Sequence, residues 1–170
     1  TGGGIRGIAA ALGGRETLVA ANGDALFDFP LAPVLAAHRA RGALGTLALR
    51  RVPEGSPFAR VGVDAQGRVH RIAEVAGPDA DGHALTFGAF TGVQFMEPEL
   101  VAMLPAEGEC DVLRTAWRDG LAARAPLFGA WVEPPDAYWL DVGTPARYLD
   151  AHRALLDGRL DPGATPTADG

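Results

Sequence analysis

Two short apolar runs, far apart in the chain, each lead into a turn that carries an aspartate. The first is Thr17-Leu18-Val19-Ala20-Ala21-Asn22-Gly23-Asp24; the second is Tyr138-Trp139-Leu140-Asp141-Val142-Gly143-Thr144-Pro145. A continuous apolar run of this length, bounded by polar residues, predicts a strand buried on both faces, as in a parallel sheet. In an open α/β sheet, ligands sit at the carboxyl ends of the strands. Two strands that each deliver a carboxylate to that edge supply hard oxygen donors, the set that suits a divalent cation. Singly, Asp24 or Asp141 serves equally well as a turn or cap residue. As a pair they are the candidate metal ligands.

The rest of the chain must supply the layers around those strands. It has 170 residues, 48% of them hydrophobic, enough for one domain with a sizeable core and too apolar for a disordered chain. No apolar run approaches the roughly 18 residues of a membrane span. The net charge of -6 argues against a nucleic-acid partner, which needs a basic face. Cys110 is the single cysteine, so no intrachain disulfide forms and a reducing cytoplasm is the expected compartment. All 15 cationic residues are arginine, so any lysine-dependent step must come from outside these residues. The chain opens on Thr1-Gly2-Gly3-Gly4 without Met, which reads as a piece of a longer polypeptide.

Taken in order, Ile5, Ile8, Ala9 and Leu12 have helical spacing and Gly13-Gly14 ends the helix. The Thr1–Gly4 loop at its start can accept an anion or approach a flat base closely, or is simply a flexible helix start. A helix follows over 31–38, with Pro33 in its first turn and His38 on its face. Residues 45–51 read as a strand. Residues 60–64 and 68–74 alternate around Ala65-Gln66-Gly67 and predict a hairpin. Residues 85–96 are β-rich, with Gly88 and Gly92 marking a bulge or a close ligand approach. Helices are expected over 98–104 and 110–124, the latter with Val112, Leu113, Ala116, Trp117 and Leu121 inward. A strand over 127–133, a turn at 134–136, and a helix capped by Thr144, begun by Pro145 and ended by Gly158 complete the pattern. The sum is an α/β sandwich with a mixed sheet over 1–157, then a linker or disordered tail over 158–170.

In this order Thr1-Gly2-Gly3-Gly4, Asn22-Gly23-Asp24, the 62–74 hairpin, Phe90-Thr91-Gly92 and Trp139-Leu140-Asp141-Val142-Gly143-Thr144-Pro145 resemble the sugar-1-phosphate nucleotidyltransferases. The chain is most similar to the N-acetylmuramate-1-phosphate uridylyltransferase and mannose-1-phosphate guanylyltransferase-like group. The resemblance covers about residues 1–157 and implies the C-terminal two-thirds of an α/β/α three-layer nucleotidyltransferase domain, N-terminally truncated. It implies a reaction between an NTP, UTP or GTP, and a sugar 1-phosphate, giving NDP-sugar and pyrophosphate. It implies Mg²⁺, with Asp24 and Asp141 as catalytic metal ligands. By the same resemblance, Thr1, Gly2, Gly3, Asn22 and Gly23 bind the nucleotide, and Glu74, Thr91, Gly92 and Gly143 bind the sugar.

The chain also departs from that family. The glycine-rich triphosphate loop with its arginine and downstream Lys-Pro is absent from the 170 residues, and the lysine that follows the sugar-binding acid is Val75 here. The metal and sugar half of a site is therefore expected without its triphosphate half, and the isolated chain is expected to be inert. Three other readings stand beside this one: a non-catalytic nucleotide-sugar-binding or regulatory relative, a metal-dependent glycosyltransferase, and a purely structural module. The glycosyltransferase reading would normally want an Asp-x-Asp pair, whereas Asp24 and Asp28 are four apart.

Overall fold

The computed structural model describes residues 1–53, 55–132 and 137–160. The expected turn at 134–136 and the tail beyond 160 lie outside them. Helix α1 (Gly2–Ala11) leads to strands β1 (Leu18–Ala21) and β2 (Ala25–Phe27). Helix α2 (Ala32–Ala40) and strand β3 (Gly45–Arg50) follow, then β4 (Arg60–Val63), β5 (Val69–Ile72), β6 (Val75–Ala76) and the long β7 (Thr86–Met96). After α3 (Pro98–Val101), a π-helical turn (Leu113–Trp117) runs into α4 (Arg118–Ala122). Strands β8 (Leu127–Trp131) and β9 (Trp139–Asp141) precede α5 (Pro145–Leu156).

The main sheet has the order β6-β5-β4-β7-β3-β8, and β1 joins it alongside β7. The pairing of β3 with β8 is parallel, and the other pairings in this sheet are antiparallel, so the sheet is mixed as expected. Strand β7 organises it. Its carboxyl half is flanked by β1 and β3, with Val19 opposite Phe95 and Thr46 opposite the same Phe95. Its amino half is flanked by β4 and β3. A register shift between Leu47 and Leu49 accommodates the bend at residues 91–92.

Alternation along the strands splits the core into two layers. Leu47, Leu49 and Met96 face one side, where they pack with Leu100, Val112, Ala116, Trp117 and Leu121 of the α3 to α4 region. Ala48, Val93 and Phe95 face the other, against Phe29 and Val34 of the α2 region. The inward residues expected of the 110–124 segment are borne out. Trp117 is fully buried, and its indole N–H donates to the buried Gln94 Oε1 at 2.7 Å. An unpaired amide oxygen at that depth would cost about 1–3 kcal/mol.

Two expectations are corrected. Strand β1 is not buried on both faces and does not sit in a parallel arrangement. It pairs antiparallel with β7 along one side, and Val19 is 41% exposed. The physical reason is topological: among the described residues its other edge pairs with no strand. A short apolar run reports that a strand is to be covered, not how many neighbours cover it. The stretch around Asp24 and the stretch around Asp141 also do not enter the main sheet. They form their own two-stranded ribbon, β2 against β9, with Ala25 opposite Asp141 and Phe27 opposite Trp139.

Candidate active site

The β2–β9 ribbon brings the two aspartates together. Asp24 immediately precedes β2 and Asp141 ends β9, so antiparallel pairing places both at the same end. The Val142 N–H donates to the Asp24 carbonyl at 2.7 Å and locks that end. Both carboxylates then converge over Gly143. A methyl group at Gly143 would meet Asp141 Oδ1 at 3.2 Å and Asp24 Oδ2 at 3.3 Å. The space that glycine leaves is bordered by two hard anionic oxygens, which fits a small divalent cation and leaves it open to solvent and phosphate oxygens.

Two further groups hold Asp141 in place. Its Oδ1 accepts from the Gly143 N–H at 3.1 Å and from Arg147 Nη1 at 3.0 Å. Arg147 belongs to the first turn of α5, whose start is set by Thr144: the Thr144 hydroxyl accepts from the Arg147 N–H at 3.3 Å, and Pro145 takes the first helical position. The Arg147 guanidinium lies over the Phe58 ring, 5.0 Å from its centroid. Arg147 escaped the sequence reading, because its only signal is a cation three residues past a helix cap. Asp28, the acid four residues beyond Asp24, is engaged elsewhere: its Oδ1 accepts from the Tyr138 N–H at 2.7 Å and straps the ribbon.

The candidate nucleotide residues gather nearby. A groove of about 370 Å³ is lined by Thr1, Gly4, Ala20, Asn22, Gly23 and Gln94 among others. Thr1 and Gly3 also line a second, more open hollow with Cys110 and Asp111. Gly2 is buried at the start of α1, its N–H donating to the Cys110 carbonyl at 2.9 Å. Asn22 and Gly92 are packed together: the Asn22 N–H donates to the Gly92 carbonyl at 2.9 Å, and Gly92 has φ +89° with the Asn22 amide 3.1 Å from where a Cβ would stand. Only glycine takes that backbone region and that contact without strain.

The candidate sugar residues are dispersed. Thr91 is buried; its hydroxyl donates to the Ala48 carbonyl at 3.0 Å, and its carbonyl accepts from the Trp139 indole at 2.8 Å. Both groups are spent inside the protein: the hydroxyl ties β7 to β3, and the carbonyl anchors β9 to the main sheet. Glu74 stands exposed in the turn between β5 and β6, with Arg114 3.9 Å away. Its neighbour Ala73 has φ +49°, a strained region for a residue with a side chain. His38 lies on the face of α2 as expected, and that face is the buried one: its Nδ1 is 2.8 Å from Thr46 Oγ1, and its Nε2 donates to Glu97 Oε1 at 2.9 Å.

Known proteins share this arrangement of elements. Mannose-1-phosphate guanylyltransferase of Mycobacterium tuberculosis is 30% identical over 158 residues, 93% of this chain and 42% of that protein. UTP--glucose-1-phosphate uridylyltransferase of Synechocystis sp. is 27% identical over 147 residues, 85% of this chain and 36% of that protein. The chain thus spans well under half the length of these relatives. The solved apo structure of a UDP-glucose pyrophosphorylase matches with a TM-score of 0.66 at 17% identity, over 89% of this chain and 58% of that one, which supports the three-layer α/β/α fold. The model of the family described as nucleotidyl transferase matches residues 2–158. The resemblance carried by the ordered motifs therefore holds at the level of the family: this chain belongs to the nucleotidyl transferases.

Proposed function

We propose that this chain carries the metal and acceptor half of a sugar-1-phosphate nucleotidyltransferase. The reaction is nucleotidyl transfer from UTP or GTP to a sugar 1-phosphate. An oxygen of the sugar phosphate forms a bond to the α-phosphorus, the bond from that phosphorus to the bridging oxygen breaks, and pyrophosphate leaves with its electron pair. The single observation that carries this reading is the convergence of Asp24 Oδ2 and Asp141 Oδ1 over Gly143. Family membership and the names of the two relatives support it.

Such a transfer leaves little covalent work to the protein, so positioning and charge neutralisation carry it. Asp24 and Asp141 are the residues that would hold Mg²⁺, which when bound neutralises charge on the phosphates. Arg147 keeps the Asp141 carboxylate in one orientation. Thr1, Asn22 and Gly23 line the groove that would take the nucleoside; Gly3 lines the hollow beside it, and Gly2, buried against Cys110, holds the start of α1 in place. Gly92 holds Asn22 there. Glu74 takes sugar hydroxyls, and Thr91 contributes by anchoring β9, not through its own hydroxyl. The pair of strand-end aspartates weighs against a purely regulatory, non-catalytic domain, which has less need of both. The 170 residues contain no lysine and no triphosphate loop, so we infer that they do not turn over alone and that the longer polypeptide is the enzyme, acting in the cytoplasm in the synthesis of cell-wall or polysaccharide precursors.

The test is pyrophosphate release by the longer polypeptide from Mg²⁺, UTP or GTP, and a sugar 1-phosphate. Asp24→Asn and Asp141→Asn are each expected to abolish turnover while the melting temperature holds. Metal-dependent product formation that survives either change would sink the assignment. Turnover by the 170 residues at the rate of the longer polypeptide would overturn the inference that they are inert alone.

A further inference from the structure

A second set of metal-ligating side chains converges on the β4–β5 hairpin and the turn after β6, and shares no residue with the aspartate pair. His70, in β5, is 2% exposed. Its Nε2 lies 3.0 Å from Asp64 Oδ2 and its Nδ1 lies 3.4 Å from Asp79 Oδ1. His83 stacks on its ring, centroids 3.9 Å apart and planes 28° off parallel. One ligand atom from each of Asp64, His70 and His83 falls within 4.8 Å of the others.

Hydrogen bonds to two carboxylates would account for His70. They would not account for His83, a second imidazole brought against the same carboxylate. Two imidazoles and a carboxylate are the donors of a zinc site, with bonds of about 2.0–2.2 Å. Imidazole nitrogen also separates such a site from Mg²⁺, which prefers an all-oxygen shell. Asp64 is already oriented for this role. Its Oδ1 accepts the Gln66 and Arg68 N–H groups at 2.9 and 2.8 Å, which turns Oδ2 to His70. Asp79 holds the opposite ring nitrogen, the arrangement in which an outer carboxylate fixes the tautomer and orientation of a ligating histidine. His83 sits on an exposed turn after the short helix Ala80–Gly82, so it is the donor free to move inward.

We propose that Asp64, His70 and His83 form a binding site for a zinc-type divalent ion, with Asp79 orienting the His70 ring. The ion ties the β4–β5 hairpin to the turn at 80–83 and so closes the segment between them. Asp64 is the anionic ligand and the two imidazoles are the nitrogen donors.

The test is a titration of the untagged 170-residue chain with Zn²⁺ against a chromophoric chelator, in excess Mg²⁺ so that the aspartate pair is occupied. One bound Zn²⁺ per chain and a rise of several degrees in melting temperature are expected. Substituting Co²⁺ should give the visible bands of a four- or five-coordinate nitrogen and oxygen site. His83→Ala, at an exposed position, should fold normally and weaken Zn²⁺ by about tenfold or more; Asp141→Asn should leave Zn²⁺ affinity unchanged. Absence of Zn²⁺ binding would overturn the proposal, as would equal affinity in His83→Ala. Loss of binding in Asp141→Asn would do so too, by placing the ion at the other pair.

Discussion

Asp24 and Asp141 meet because Ala25 and Asp141 are register partners in a two-stranded ribbon, and Gly143 keeps the space between their carboxylates open. The glycine is thus part of the site although it offers no functional group. Gly143→Ala puts a methyl at 3.2–3.3 Å from both carboxylate oxygens, tighter than comfortable contact. In the longer polypeptide it should raise the Mg²⁺ requirement by about tenfold or more while shifting stability little, since Gly143 is exposed. A Mg²⁺ titration of pyrophosphate release, with a melting curve as control, decides this; an unchanged Mg²⁺ requirement would argue against a cation between the two acids.

Arg147 fixes the Asp141 carboxylate from the first turn of α5. Arg147→Ala should raise the Mg²⁺ concentration that turnover requires by about tenfold, and Arg147→Lys should reverse this only in part, because a single ammonium cannot also lie flat over Phe58. An effect confined to the NTP KM would instead assign Arg147 to the nucleotide.

Glu74 is exposed and paired only loosely with Arg114, so its removal costs the fold little. Glu74→Ala is expected to raise the KM for the sugar 1-phosphate more than the KM for the NTP. Equal effects on the two would count against a sugar role.

Beside Glu74, Ala73 adopts φ +49°. Left-handed backbone costs a non-glycine residue about 1–2 kcal/mol, and glycine brings back about 0.5–1 kcal/mol in chain entropy. Ala73→Gly should therefore stabilise the chain by up to about 1 kcal/mol in a denaturant titration. A clear destabilisation would show that the turn is held by something other than its backbone.

Glu97 gathers Thr17, at the entry to β1, and His38 of α2 onto one carboxylate oxygen. Burial pushes the Glu97 carboxyl up, but the hydrogen bonds from Thr17 and His38 outweigh that and hold it below its ordinary value of 4.5. A carboxyl lowered in the folded state stabilises above its unfolded value and loses that contribution as pH falls through the folded one. The melting temperature of Glu97→Gln should lie below that of the parent at pH 7, and the gap should narrow as the pH falls below 4.5. A gap that does not change with pH would assign the effect to packing alone.

Much of this architecture is written in local chemistry. The 65–67 turn, the β4–β5 hairpin, the Thr144-Pro145 helix start and the inward face around Trp117 follow from residue types at short range. The identity of Asp24 and Asp141 as a pair was legible too, because each ends a short apolar segment at a turn. Their partners were not. Arg147 joins Asp141 only when α5 folds back on the ribbon, and the buried hydroxyl of Thr91 is committed by a carbonyl of β3, a strand distant in sequence.

By itself the sequence determined the strand and helix periods, the turns, and which side chains could serve as hard oxygen or nitrogen donors, because these depend on neighbours in the chain. The tertiary structure decided that β1 lines one edge of β7 in antiparallel pairing, that the two aspartates belong to a separate ribbon, and that His70 and His83 stack beside Asp64. Those outcomes depend on register between distant segments. Register is set by which buried faces fit together over the whole sheet, and no local pattern encodes it.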